Sequence, residues 1–293
     1  MTSSSFDELL AEMHARLALG ESSALSSIFG LDIAVQITFR IARHAWNLTP
    51  ATARPTIDVF TKYCCSSTHA TSITDYDGNS YGHLMRCVPF LSHPFIEYFD
   101  APTYGIGTSA PYIVDAGIPA GYAAIPSTLF APYAEGNPQR RSQSTQNHVP
   151  PLPIWFFEHD PRADDYSFGL SIERAYKGNT NILYGRRELN ILKRKTSLKM
   201  RFNWPRHTSS EKQIRGTKKS PMHSIDRLAQ LTAGAVRNFM IDQMTAFKGD
   251  RDAHPWSIGT GTGEIGVQDV LLLGVLFVSD GTAMPLLASC LKV

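Results

Sequence analysis

The chain has 293 residues, enough for one large domain or two small ones, and a formal net charge of +2. Charged residues make up 18% of it and aromatic residues 10%, which excludes an intrinsically disordered, highly charged protein. No run of 18 apolar residues occurs, so a membrane-spanning helix and a membrane partner are not expected. Four cysteines are too few for a disulfide scaffold in a chain of this length.

The N-terminal region carries two strong periodic patterns. Ser5 and Glu8 form a capping box followed by apolar residues at helical spacing, which predicts an amphipathic helix over residues 5–20. From position 29 to position 41 every odd residue is apolar, a pattern typical of a long strand with one buried face. The side chains expected on the buried face are Ile33, Val35, Ile37 and Phe39, with Gln36 and Arg40 on the other face.

Shorter strands are predicted where apolar residues alternate between turn residues. They lie at 57–63, 84–90, 96–99, 112–114, 154–157, 168–172 and 189–192. The segment 196–204 has two different faces, because Leu198 and Met200 alternate with Lys199 and Arg201, so the basic residues should be exposed. A helix over about 222–247 and a strand over 267–278 that is apolar on both faces complete the pattern.

The predicted strands follow one another without alternating helices, so a doubly wound nucleotide-binding fold is not expected. We predict a mainly β protein with a single domain over 1–293. Its core, about 29–293, would be an antiparallel β-sandwich of jelly-roll type with two peripheral helices and long loops rich in proline and glycine. The glycine-rich stretch 259–266 looks like a methyltransferase cofactor loop, but because no helix is predicted after it, we interpret it as a hairpin loop.

Positive charge is concentrated in one segment. Residues 186–219 contain 12 of the 28 lysines and arginines and two glutamates, a net of +10, whereas the remaining 16 basic and 24 acidic residues give −8. Such a segment is either a surface for a polyanion such as nucleic acid or simply a solvated strand face and loop. The candidate nucleic-acid-binding residues are Lys193, Arg194, Lys195, Lys199, Arg201, Arg206, Lys218 and Lys219.

Acidic residues are dense directly after the apolar segment 154–157. Oxygen ligands at this density suit calcium, with Asp160, Asp164 and Asp165 as candidate ligands. The same loop, or a histidine such as His159, would suit an acid/base pair in a hydrolase-like enzyme. Because aspartate is also an ordinary turn residue, a plain turn remains a third interpretation. No standard catalytic motif is present, and we assign no catalytic residue.

The apolar strand that runs into an aspartate-rich loop, residues 152–165, resembles a feature of the single jelly-roll coat proteins of small icosahedral viruses. The resemblance implies a capsid-type structural subunit that binds other copies of itself and packaged nucleic acid, in several groups with calcium between subunits. Those proteins usually begin with a basic arm, whereas this chain begins with an acidic predicted helix. Either segment 186–219 takes over the arm's role or the genome is held loosely. One alternative is a hydrolase-like β-sandwich enzyme that uses the acidic loop 158–165 or a histidine. Another is a non-viral binding module whose loops over 101–153 hold a ligand.

The first 20 residues lack the basic start and apolar core of a secretory signal. We therefore expect the protein in the virion if it is viral and in the cytoplasm otherwise.

Overall fold

The computed structural model describes residues 3–19, 23–65, 68–74, 80–90, 112–130, 152–160, 165–183, 185–192, 195–246, 254–279 and 281–290. The α-helices within these ranges are α1 (Ser3–Leu19), α2 (Ala24–Phe29), α3 (Leu31–Leu48), α4 (Ile57–Cys64), α5 (Ile172–Tyr176) and α6 (Ile225–Ala246). The strands are β1 (Thr68–Thr74), β2 (Ser80–Phe90), β3 (Tyr112–Ala116), β4 (Tyr122–Ala124), β5 (Leu152–Trp155), β6 (Phe157–Asp160), β7 (Asp165–Phe168), β8 (Leu170–Ser171), β9 (Ser197–Phe202), β10 (Ser210–Arg215), β11 (Val270–Ser279) and β12 (Thr282–Cys290).

The main sheet has seven strands in the order β10-β9-β12-β11-β5, with β4 added to β12 and β8 added to β11. It is mixed, because β9 and β12 run parallel whereas the other pairs are antiparallel. It is also open, so a sandwich or jelly-roll arrangement is not confirmed. The prediction of a mainly β protein with two peripheral helices is wrong, because the described residues contain six α-helices and more helix than strand. A separate three-stranded sheet contains β1, β2 and β3, and β6 pairs with β7 in a hairpin.

The centre of the main sheet matches the sequence pattern closely. The strand predicted over 267–278 is confirmed as β11, whose interior residues are almost all buried, and its antiparallel partner β12 is equally buried. The strand predicted over 196–204 is confirmed as β9, with Leu198 and Met200 buried and Lys199 exposed. The predicted helix over 222–247 is confirmed as α6.

Helix α6 covers the sheet at β9, β10 and β11. The contact is aromatic: the rings of Phe202 on β9 and Phe239 on α6 stack with their centroids 4.8 Å apart. Trp204 packs against the same Phe239 ring, and its indole N–H donates to the Trp256 carbonyl oxygen at 2.7 Å. Because each buried aromatic side chain removes a large apolar area from water, this layer fixes α6 against the sheet.

The long strand predicted over residues 29–41 is wrong, because this segment is helix α3. Gly30, with φ of 86°, ends α2 and lies directly before α3, a conformation that favours glycine. Ala34 and Thr38, which the alternation placed on the polar face, are fully buried together with Ile37. Their spacing of three and four residues is that of one helix face, and small residues at even positions concealed it.

Two shorter strand predictions are also wrong. Residues 57–63 form helix α4, in which Ile57, Phe60 and Thr61 are the buried side chains, again at helical spacing. Residues 189–192 contain a single 3-10 turn at Asn190–Leu192. The predictions at 84–90 and 112–114 are confirmed within β2 and β3, and the one at 96–99 lies outside the described residues.

The predicted N-terminal helix is confirmed as α1, but it turns its large apolar residues outward. Its buried residues are small apart from Leu19: Ala11, Ala15, Ala18 and Leu19. Phe6, Leu9, Met13 and Leu17 remain 47–75% exposed. The neighbouring helix α4 adds exposed Val59 and Tyr63. No helix in the described ranges is long and apolar enough to cross a membrane.

A buried carboxyl group links the helical region to the small sheet. Asp115 on β3 is fully buried, and its Oδ1 accepts hydrogen bonds from the backbone N–H groups of Leu25 at 3.1 Å and Ala116 at 2.8 Å. Leu25 lies in the first turn of α2, so the carboxyl group satisfies a donor that has no partner inside that helix. Burial raises the pKa of Asp115 from an ordinary value of 3.8 to about 7.

This pKa predicts that stability falls as pH rises. Between about pH 4 and pH 7 the folded protein holds the Asp115 proton and the unfolded chain releases it, so the stabilisation present below pH 4 is lost as pH passes 7. In Asp115→Asn the amide oxygen keeps the hydrogen-bond acceptor but does not titrate. We therefore expect the urea midpoint of this variant to lack the decrease between pH 4 and pH 7. The comparison is urea unfolding of both proteins from pH 4 to pH 8, and parallel curves would contradict the prediction.

Candidate nucleic-acid interface

The predicted basic residues lie at one edge of the main sheet, where β10 pairs only with β9 among the described strands. Lys199 and Arg201 project from β9, and Arg206 lies in the turn between β9 and β10. Lys218 and Lys219 lie in the turn after β10, and Lys195 is half-buried just before β9. Lys193 and Arg194 lie outside the described residues. The structure therefore brings most of the predicted set to one edge.

A glutamate neutralises the middle of this edge. Glu211 on β10 stands opposite Arg201 in the antiparallel register, and its carboxylate contacts both the Arg201 guanidinium and Lys199 Nζ, the latter at 2.9 Å. The Lys199 hydrogen bond is the main cause that holds the pKa of Glu211 below its ordinary range, so the carboxylate stays charged. The Arg201 guanidinium also lies over the Phe130 ring at 4.7 Å. These two predicted cations are therefore paired.

Positive charge remains at both ends of β10. Arg206, Arg215, Lys218 and Lys219 are exposed, and none of them forms an ion pair with another described residue. Thr217 and Ser220 exchange backbone hydrogen bonds at 2.9 and 3.1 Å, a tight turn that places Lys218 and Lys219 at its tip. The strand between these two groups has six residues and spans about 20 Å.

Sequence reasoning does not select the three cations that line a cleft at this edge of the sheet. Lys212 and Arg215 on β10 line a cleft together with Arg227 on α6. The sequence does not predict strand β10, because five of its six residues are polar and Ile214 is the one that is buried. Arg227 stands outside the basic segment in the sequence, so only the packing of α6 onto β10 places it here.

One carboxylate of the acidic loop 158–165 takes part in an ion pair within the fold. Glu158 on β6 is buried and forms an ion pair with Arg174 at 2.7 Å, so its carboxylate has a structural partner. Asp160 and Asp165 oppose each other in the β6–β7 register, and Asp164 lies outside the described residues. Within those residues no group of three metal-ligating side chains occurs, and calcium binding stays a prediction.

Backbone hydrogen bonds join the two ends of the glycine-rich stretch 259–266. Ile258 and Ile265 form an isolated bridge, and the Glu264 carboxylate accepts the Gly261 N–H at 2.6 Å. A 3-10 turn and then β11 follow it. The helix that a cofactor-binding loop requires at this point is therefore replaced by a strand.

Comparisons with protein-family models, with curated proteins and with solved structures gave no match to this chain. Its function is therefore inferred from its own residues and their geometry.

Proposed function

We propose that this protein is a capsid-type structural subunit that binds nucleic acid without reading its sequence, through the β9–β10 edge and the turns at either end of β10. The observation that carries the proposal is the set of exposed cations at those two ends, Arg206, Arg215, Lys218 and Lys219, which have no carboxylate partner among the described residues. Exposed lysine and arginine side chains contact phosphate oxygens, which fixes a strand in place but carries no sequence information.

The paired cations have a different role in this proposal. Lys199 and Arg201 already contact Glu211, so a phosphate would have to compete with a carboxylate for them. We therefore assign the main phosphate contacts to the ends of β10 and a minor contribution to the middle of the edge.

Charge-neutralising variants test the interface. We expect wild-type protein to bind a 20-nucleotide RNA and a DNA duplex of unrelated sequence, with affinity that falls steeply as salt rises. Replacing Arg215, Lys218 and Lys219 by Gln should lower the slope of log affinity against log salt by about 0.7–0.9 for each phosphate that the variant no longer neutralises. Fluorescence anisotropy across a salt series measures this slope.

Two matched variants serve as controls. Lys62→Gln removes an exposed cation from α4, which does not pack against β9 or β10, and should leave the slope unchanged. Lys199→Gln removes a cation that Glu211 already neutralises and should change the slope less than Lys218→Gln does. Absence of binding by the wild type at low salt would refute the nucleic-acid part of the proposal.

The assembly part of the proposal is supported by the outward apolar face of α1 and α4. Exposed apolar side chains at helical spacing are typical of a protein–protein contact surface, and in this proposal copies of the chain meet there. Size-exclusion chromatography with negative-stain microscopy tests it directly. Large uniform particles are the expected result. A monomeric species at high concentration would contradict the assembly part of the proposal and leave its nucleic-acid part unaffected.

A further inference from the structure

Strand β10 forms an open edge of the main sheet. It pairs with β9 and with no other described strand, and its register with β9 runs from Ser210 to Arg215 without a bulge. Proteins usually protect such an edge with a proline, a bulge or a covering element, because its unpaired backbone groups can bind another strand. β10 contains neither a proline nor a bulge, so its backbone can accept a further strand.

Two backbone hydrogen bonds show which residues of β10 direct their backbone groups outward. Directly after β10, the Gly216 N–H donates to the Thr196 carbonyl oxygen at 3.0 Å, and the Lys199 N–H donates away from β10 to the Gly281 carbonyl oxygen at 3.0 Å. Because the backbone groups of successive residues point to opposite sides, the even-numbered residues of β10 pair with β9. The residues whose N–H and C=O groups point outward are Glu211, Gln213 and Arg215. No backbone hydrogen bond to these outward groups occurs in the described part of the chain.

Helix α6 does not close this edge. A cleft of about 360 Å³ lies between β10, α6 and the end of α5, and its lining on the strand side comes from residues 212–215. Gln213 and Arg215 are exposed on the sheet face opposite to α6, so the cleft reaches the outer side of the strand. A second strand can therefore approach β10 beside α6.

The outward residues also carry a distinctive order of side chains. Glu211, Gln213 and Arg215 are exposed and share one face of the sheet, since Ile214 between them is buried on the other. On this face the Gln213 amide donates to the Ser197 hydroxyl oxygen at 2.9 Å, and the Arg215 guanidinium donates to the Gln213 side-chain oxygen at 2.6 Å. In chain order the edge presents an anion, a neutral amide and a cation.

This order is self-complementary when two copies of β10 run antiparallel. With Gln213 opposite the partner's Gln213, Glu211 lies opposite the partner's Arg215 on both sides of a two-fold axis. Opposite charges in directly opposed positions stabilise a strand pair, and like charges destabilise it. The neighbouring registers are less favourable, because one places Lys212 opposite its own copy and the other centres on Ile214 and leaves Glu211 opposite a threonine.

We propose that two copies of the chain join through their β10 strands in this register, so that the main sheet continues from one subunit into the other. The three outward residues of each copy then supply about six backbone hydrogen bonds across the axis. Each Glu211 faces Lys199, Arg201 and the partner's Arg215, so the interface keeps a net positive charge. The inference does not rest on the proposed function, because it needs neither the nucleic-acid contacts nor the apolar contact of α1 and α4.

A cysteine at the two-fold axis tests the register. The two copies of residue 213 would have their Cα atoms about 5.5 Å apart, which is within the span of a disulfide. We expect Gln213→Cys to form a disulfide-linked dimer under mild oxidation, seen by non-reducing gel electrophoresis and lost on reduction. Wild-type protein is the control for the four native cysteines.

Two cysteine variants control for accidental collision and for register. Lys199→Cys is exposed on the same sheet face but lies one strand further from the axis, so its two copies are about three strand spacings apart. Lys212→Cys would lie about 7–8 Å from its own copy across the strand pair, too far for a disulfide. We expect both to cross-link about tenfold more slowly than Gln213→Cys does.

A charge reversal tests the cross-strand pairs. Arg215→Glu, combined with Gln213→Cys, would place two carboxylates opposite each other on both sides of the axis and should slow cross-linking about tenfold. Arg215→Lys in the same background keeps the charge and should retain the rate of Gln213→Cys alone. Melting temperatures check that every variant is folded.

The outcomes separate this inference from the proposed function. If Gln213→Cys cross-links no faster than Lys199→Cys, or more slowly than Lys212→Cys, the inference is overturned and the proposed function stands. Equal rates for the Arg215→Glu and Arg215→Lys variants would overturn the charge-selected register. If Gln213→Cys cross-links as expected while wild-type protein neither binds RNA at low salt nor forms particles, the inference stands and the proposed function fails.

Discussion

Ala34→Asp and Ile37→Asp should each destabilise the protein by several kcal/mol, because each would bury an unpaired carboxylate. Both side chains lie on the inner face of α3, with Ala34 fully buried and Ile37 2% exposed. A loss of this size is a large part of the total stability of a typical domain. We expect little or no folded protein in urea titrations followed by circular dichroism.

Gln36→Asp is the matched control for these variants, because Gln36 is exposed on the same helix. Its unfolding midpoint should stay close to that of the wild type. The variants at Ala34 and Ile37 together also distinguish a helix from a strand in this segment. In a strand, Ala34 would share the polar face with Gln36, so tolerance of Ala34→Asp beside loss of folding in Ile37→Asp would show that the segment is not helical.

Gly274→Val should be the most damaging single change in the main sheet. Gly274 lies in β11 opposite Trp155 of β5, and a Cβ at this position would stand 2.5 Å from the Ile154 carbonyl oxygen and 3.1 Å from the Trp155 ring. Because the nearest atom belongs to the backbone, β5 would have to move away from β11 and lose its hydrogen bonds. We expect a destabilisation of about 3 kcal/mol or more.

Gly281→Ala is the control for the glycine change. Gly281 precedes β12, and an added Cβ there would meet no atom within 4 Å. Its free energy of unfolding should stay within the range of a neutral surface substitution, about 0.5 kcal/mol in either direction, so thermal unfolding should give a melting temperature close to that of the wild type. If Gly274→Val melted like the control, β5 would not pair with β11 at this register.

The sequence alone determined those elements whose pattern of apolar residues is compatible with only one type of secondary structure. Strand β11 is apolar on both faces, β9 alternates between apolar and basic residues, and α6 has apolar residues at helical spacing. In these elements hydrophobic burial and local periodicity agree, so local pattern predicts structure. The basic segment was likewise visible as a count of charges, and the structure brings most of its selected residues to one sheet edge.

Tertiary structure decided which of two compatible patterns each remaining segment follows. The apolar odd positions of α3 are compatible with a strand. The buried set Ala34, Ile37, Thr38 and Ile41 instead has the spacing of one helix face. In α1 the alanine face, and not the large apolar face, became the inner one. Propensity and spacing do not specify which face meets a neighbour.

The candidate site depended on tertiary structure most of all. Charge counting treats every lysine and arginine alike, but Glu211 neutralises Lys199 and Arg201 across a strand pair. Asp242 on α6 contacts Lys212, which lies 30 positions earlier in the chain, and Arg227 on the same helix lines the cleft beside β10. Electrostatic pairing depends on distance in space and on exposure to solvent, and the chain sets both quantities only when it folds.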